Sequence, residues 1–230
     1  MSAYLELLKR AVTNYINLGD DKAFGVFDPM GAKSRYDQYR WNIPRCAQPQ
    51  SLLSSTQLGL IERLMQFVLD RELPGDFLEA GVWRGGAAIF MRGVLAERKT
   101  IDRRVWLADT FAGIPYNTDP AQAADPVDQW EDRWEASLDE VRDAFARYGL
   151  LDDQVRFVQG PIVQSLAGVD LPPLAIARID VDSYDSYRDA LCQLVPRVVD
   201  GGYVIIDDWH LPGCKRAVQN TVTSMASRRR

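Results

Sequence analysis

Histidine occurs once in this 230-residue chain, at His210, and cysteine only three times, at Cys46, Cys192 and Cys214. A single imidazole excludes zinc sites built from several histidines and leaves base chemistry to carboxylates. Three cysteines are an odd number without metal-ligand spacing, which suits reduced thiols and a cytoplasmic location. Long apolar runs are missing: no stretch approaches the roughly 20 residues that a membrane-spanning helix needs. The opening residues, Met1 to Arg10, lack the charged start, apolar core and small-residue cleavage site of a secretory signal. Positive charge is scarce as well, with 27 Lys and Arg against 32 Asp and Glu, a formal net charge of −5. That balance argues against a nucleic-acid groove, so a small molecule is the expected partner and neither nucleic acid nor a membrane is. What is present suffices for a core, with 47% hydrophobic and 26% charged residues. Such a composition is globular, neither disordered nor fibrous.

Tyr4, Leu5, Leu8, Ala11, Val12, Tyr15 and Ile16 recur at helical spacing and predict an amphipathic opening helix. Residues 19–50 have no clean period and carry a charged, aromatic run from Lys33 to Trp41, which reads as an irregular cap or lid. A second helix is expected over roughly Thr56–Arg71. After Pro74-Gly75 the pattern changes to short apolar runs separated by helical stretches. The expected strands are Phe77–Val82, Arg104–Ala108, Val155–Val158, Leu174–Ile179 and Tyr203–Ile206. The expected helices between them are Ala87–Arg98, Ser137–Tyr148 and Ser186–Val198, with Ser137 and Glu140 spaced as a capping box. Apolar strands alternating with helices mean a parallel sheet covered on both faces. The boundary falls near residue 73, with a helical cap over 1–73 and a core over 74–230. The segment Gly113–Trp134, rich in aspartate, proline and tryptophan, breaks the alternation; a loop this long is usually functional or mobile.

The first strand runs into Glu79-Ala-Gly81-Val-Trp83-Arg-Gly85-Gly86, a glycine turn at the start of a helix. Such a turn admits a ligand close to the backbone and aims helix N–H groups at it. The dinucleotide fingerprint is absent, because Trp83 stands where its second glycine would be, and no phosphate loop is present. What remains is Glu-x-Gly-x-x-x-Gly, a loose form of the turn in S-adenosylmethionine-dependent methyltransferases; a turn without a ligand is the other reading. The second strand ends in Asp109-Thr110-Phe111, and an acid at that position can accept hydrogen bonds from both ribose hydroxyls of a nucleoside. It can also simply cap the next turn.

Two further strands end in acids, at Asp180 and Asp182 and at Asp207-Asp208. If these strands are neighbours, their carboxylates converge and repel unless a cation neutralises them. Hard oxygen donors without histidine or cysteine favour Mg²⁺. His210, two residues on, is a lone imidazole that reads more simply as solvated than as a base. The absence of a phosphate loop, and of basic residues beside the acids, weighs against phosphoryl transfer.

These residues carry a family resemblance. The runs Pro74–Ala87, Trp106–Pro115, Phe145–Phe157, Arg178–Ser186 and Gly201–Asp208 resemble the macrocin O-methyltransferases, metal-dependent macrolide- and aminocoumarin-type sugar O-methyltransferases. The resemblance implies a Rossmann-like class I S-adenosylmethionine-dependent methyltransferase fold, with its C-terminal hairpin shortened or missing. It implies transfer of a methyl group from S-adenosylmethionine to a hydroxyl of a secondary metabolite, with Mg²⁺ and in a homodimer. By the same resemblance Asp180, Asp207 and Asp208 would hold the metal and Asp182 would be the general base. Glu79, Gly81, Trp83, Asp109, Thr110 and Phe111 would hold the cofactor. The favoured acceptor is a deoxysugar hydroxyl of a glycosylated natural product. A polyketide hydroxyl or enol, and a non-catalytic S-adenosylmethionine-binding relative, are the alternatives. Trp83, Trp130 and Trp134 are candidates for an aromatic wall around the sulfonium. If strand geometry continued past Asp180, Asp182 would share its face of the sheet.

Overall fold

The computed structural model describes residues 2–18, 48–118, 127 and 134–228. They group into two compact units, one of residues 1–72, 84–105 and 139–155, the other of residues 73–83, 106–138 and 156–230. The Lys33–Trp41 run, Cys46 and Trp130 lie outside the described residues.

The first unit is helical: α1 (Ala3–Val12), α2 (Tyr15–Leu18), α3 (Ser55–Asp70), α4 (Gly86–Glu97) and α5 (Leu138–Arg147). Helix α1 buries Leu5, Leu8 and Val12, starts on the Ser2 side chain and places Lys9 and Arg10 in its last turn, where cations favour the helix dipole. Helix α3 starts in a reciprocal capping box between Ser54 and Gln57, and buries Leu58, Ile61, Met65 and Val68. Nearly every residue of α4 is buried. Gly93 lets α1 approach it, since a Cβ there would lie 2.1 Å from Leu8 Cδ2. A buried ion pair, Lys9 to Glu62 at 2.6 Å, ties α1 to α3.

The second unit is built on the sheet: β1 (Asp76–Ala80), β2 (Val105–Asp109), β3 (Val155–Gln159), β4 (Leu174–Ile179) and β5 (Val198–Ile206). Three helices accompany it: α6 (Ile162–Ser165), α7 (Tyr184–Leu194), which continues as a 3₁₀ turn to Arg197, and α8 (Pro212–Arg228). The strand order is β3-β2-β1-β4-β5, with β1 parallel to β4 and β4 parallel to β5. All six residues of β4 are buried, as expected of a central parallel strand. Strand β5 begins five residues before the apolar run Tyr203–Ile206, because Asp200, Gly201 and Gly202 mask its first part. Two helices, α6 and α8, were not legible as apolar periods: the first is one turn long and the second is dominated by polar residues. Helix α8 is the last described element, and no strand follows β5 among the described residues.

The strand order reverses between β1 and β4, the switch point at which open α/β sheets bind ligands. Backbone hydrogen bonds stitch the carboxyl ends of all five strands together. Gly160 donates to Asp109, Gly81 to Ala108, Asp180 to Ala80 and Asp207 to Ile179, at 2.8–3.1 Å. Gly81 has φ +81°, and a Cβ there would lie 1.7 Å from the Asp180 carbonyl oxygen. Only glycine fits so close an approach of two strand ends.

Candidate active site

The residues expected to hold the metal, the proton and the cofactor lie at or just beyond these stitched strand ends, and Trp134 stands before α5. Asp180, Asp207 and Asp208 each offer one carboxylate oxygen, and these oxygens lie within 4.8 Å of one another. The group is therefore the convergence that acids at the ends of two neighbouring strands require. Asp208 is fully buried, and Asp180 and Asp207 are half-buried.

The centre of the cluster is a residue the sequence reading passed over. Arg178, the next-to-last residue of β4, has a buried side chain that reaches three acids. Nη1 donates to Glu79 of β1, and Nη2 lies 2.8 Å from both Asp180 Oδ2 and Asp207 Oδ1. Burial works against its charge, but Asp207, Asp180 and Glu79 outweigh that and hold the guanidinium ionised well above its usual range. Glu79 is fully buried, and one of its oxygens has no hydrogen-bond partner among the described residues. Desolvation raises its carboxyl to about 8 despite the pull of Arg178. The argument that no basic residue stands beside the acids is thus overturned. The signal was available: an arginine inside an otherwise apolar central strand must have buried acidic partners.

Tyr187 of α7 was missed as well. Its phenol oxygen lies 2.9 Å from both Ile179 O and Asp208 Oδ2, and accepts from the Asp208 amide at 3.2 Å. Burial, and then the Asp208 charge, push the phenol well above its ordinary pKa, so it stays a hydrogen-bond donor. The amide of Asp182 donates to the same Asp208 oxygen at 3.0 Å. Asp182 itself does not continue the strand. Strand β4 ends at Ile179, and Asp182 is left-handed with φ +57°. The period-two argument that placed Asp180 and Asp182 on one face therefore lapses at this turn. His210 is exposed in the turn before α8.

Asp109 ends β2, and its carboxylate organises the neighbouring turns. Oδ2 accepts from the amides of Val82 at 2.5 Å and Trp83 at 3.3 Å; Oδ1 accepts from Phe111 at 2.8 Å. The Thr110 hydroxyl lies 3.3 Å from the same Oδ1, so four polar groups of the two turns converge on this carboxylate. Thr110 donates its hydroxyl to Gly113 O at 2.7 Å and accepts from Ala112, closing a tight turn. Trp83 meets Trp134 edge to face, with ring centroids 5.6 Å apart, and Phe111 meets Phe157 at 6.3 Å. The segment that follows is clamped to α7. Thr118 donates through its amide and hydroxyl to Asp185 Oδ2 at 2.7 and 2.9 Å, and the Asp185 amide donates to Asn117.

The chain matches the family model for macrocin-O-methyltransferase (TylF) over residues 1–224. It is 37% identical to the mycinamicin III 3''-O-methyltransferase of Micromonospora griseorubida, over 94% of this chain and 86% of that one. It is 38% identical to the 8-demethyl-8-(2,3-dimethoxy-alpha-L-rhamnosyl)-tetracenomycin-C 4'-O-methyltransferase of Streptomyces olivaceus, over 94% and 83%. The O-methyltransferase NovP superposes with a TM-score of 0.82 at 34% identity, covering 97% of this chain and 90% of its own. With the 3-2-1-4-5 sheet of a class I S-adenosylmethionine-dependent methyltransferase and these relatives, the chain is an O-methyltransferase of the macrocin-O-methyltransferase family.

Proposed function

We propose that this O-methyltransferase uses S-adenosylmethionine and a divalent cation, Mg²⁺ by preference, to methylate a sugar hydroxyl of a glycosylated natural product. The observation that carries the metal is the convergence of Asp180, Asp207 and Asp208 to within 4.8 Å with no histidine or cysteine among them. An all-carboxylate donor set suits a hard cation. The sugar acceptor rests on the relatives, one named for the 4' position of a rhamnosyl tetracenomycin and the other for the 3'' position of mycinamicin III.

The reaction makes a bond from the acceptor oxygen to the methyl carbon while the carbon–sulfur bond breaks; the hydroxyl proton must leave. A cation bound by the three aspartates would supply Lewis acidity to that hydroxyl. Asp182, whose amide is fixed on Asp208, is the residue we assign to receive the proton. The Asp109 carboxylate, which holds the Gly81 turn through the Val82 and Trp83 amides, is the group we assign to a ribose hydroxyl of the cofactor. Thr110, Phe111 and Glu79 shape that end of the sheet. The Trp83–Trp134 pair keeps water from a sulfonium that loses its charge as the methyl leaves. The protein is expected to assemble as a homodimer.

The test is incubation with S-adenosylmethionine, Mg²⁺ and a panel of acceptors, including mycinamicin III and rhamnosyl tetracenomycins, with S-adenosylhomocysteine as the readout. Turnover should vanish in EDTA and return with Mg²⁺. Full turnover in EDTA refutes the metal, and turnover only on unglycosylated polyketides refutes the sugar.

A further inference from the structure

Arg178 invites a question that the methyl-transfer chemistry leaves unanswered. A buried guanidinium is costly unless it is matched, and a cluster of buried carboxylates is costly without a cation. Here each solves the other's difficulty. One nitrogen of Arg178, Nη2, sits 2.8 Å from Asp180 and 2.8 Å from Asp207, two of the three acids that converge on the candidate metal position. The other, Nη1, reaches across to Glu79 on β1. One fork therefore joins three neighbouring strands, β1, β4 and β5, at the level of the site.

We infer that Arg178 is the resident counter-ion of this cluster, a positioning residue that acts in two ways. Without a metal it holds Asp180 and Asp207 together, so that the site is formed before a cation arrives. With a metal, its positive charge stands against the incoming one, because both draw on the same two carboxylates. The cation is then held loosely enough to exchange. This inference rests on reading Asp180, Asp207 and Asp208 as metal ligands.

The experiment compares the wild-type chain with Arg178→Met, which keeps bulk and removes charge, and Arg178→Lys, which keeps charge and loses the fork. Two quantities are read on each full-length protein: the thermal unfolding midpoint in EDTA, and the Mn²⁺ affinity by calorimetry. Arg178→Met should unfold at a lower temperature than wild type in EDTA. It should bind Mn²⁺ at least tenfold more tightly, and saturating Mn²⁺ should raise its midpoint by more than it raises that of wild type. Arg178→Lys should stay within threefold of wild type for Mn²⁺. The inference is overturned if Arg178→Met is as stable as wild type in EDTA, or binds Mn²⁺ no better. It is overturned equally if the Lys variant tracks the Met variant, since charge would then not be the agent. Should Arg178→Met fail to fold even in Mn²⁺, Arg178→Gln carries the same comparison. A wild-type chain that binds no Mn²⁺ defeats the metal reading instead, and the midpoints in EDTA then judge the counter-ion alone.

Discussion

Asp182→Asn is the substitution that isolates chemistry from architecture at this site. Asp182 adopts φ +57°, a conformation that costs most side chains about 1–2 kcal/mol but that Asp and Asn both tolerate. Its amide donates to Asp208 Oδ2 at 3.0 Å and fixes the turn there. Asparagine keeps that amide, the left-handed turn and nearly the same volume, and removes the negative charge together with the capacity to take a proton. The unfolding midpoint and cofactor affinity should therefore stay close to wild type. The turnover number should fall by about 10²-fold or more, which is about 2.7 kcal/mol of transition-state stabilisation. Asp182→Ala is the poorer probe, because it adds backbone strain to the loss of the base. The assay is S-adenosylhomocysteine release at saturating S-adenosylmethionine and Mg²⁺, run from pH 6 to 9. Hydroxide can replace a missing base, so the variant's deficit should shrink as pH rises. An Asn variant within threefold of wild-type turnover at pH 7 would refute the assignment and leave Asp182 as a turn residue that orients Asp208.

Gly81→Ala should yield little folded protein, because the new Cβ would lie 1.7 Å from the Asp180 carbonyl; expression with a recoverable, cooperative unfolding transition would contradict that geometry. Tyr187→Phe strips Asp208 of a buried donor, a loss of about 2 kcal/mol, and calorimetry should also find Mn²⁺ affinity reduced about tenfold. At this chain length that stability loss should lower the midpoint by about 4–8 °C. Asp109→Ala removes the carboxylate that accepts from three backbone amides and should lower both the midpoint and S-adenosylmethionine affinity, the latter by about 2 kcal/mol. A lower midpoint with unchanged cofactor affinity would make Asp109 a turn residue alone.

Much of this arrangement is written locally. Acids that close apolar runs name the carboxyl ends of strands, and the glycine turn after Glu79 names the first of them. The bounds of β4 can be read directly, because Pro172-Pro173 precede it and an acid follows it. The residues that hold the site were harder to read, for a physical reason. Arg178 and Tyr187 act on partners 99 and 21 positions away in the chain, across strand pairings that no periodicity reveals. The Asp185 clamp on Asn117 and Thr118 is likewise invisible until α7 and the segment after β2 are brought together. A shared face for Asp180 and Asp182 depended on the strand continuing, and the strand lasts only to Ile179.

That turn belongs to a pattern with functional content. Seven non-glycine residues among those described have positive φ, and three of them, Asn14, Glu72 and Lys99, stand just past helix ends, where left-handed residues are habitual. Trp83, Phe111 and Asp182 are different. They follow β1, β2 and β4 by two or three residues, and Trp134, the seventh, packs against Trp83. A bulky tryptophan or phenylalanine in that conformation costs about 1 kcal/mol or more and persists only where the surroundings fix it. The surroundings here are specific: Asp109 accepts from the amides of both Trp83 and Phe111, and Asp208 accepts from that of Asp182. Two carboxylates at strand ends thus hold three strained turns in place. The acids that the proposed chemistry uses also keep the turns in a conformation they would not adopt alone. The proposed cofactor side and metal side share one device, an aspartate at a strand end that accepts from turn amides beyond its own strand or a neighbouring one. Substitution of either aspartate is therefore expected to perturb binding and backbone together, whereas Asp182→Asn keeps the amide by which Asp182 joins the device.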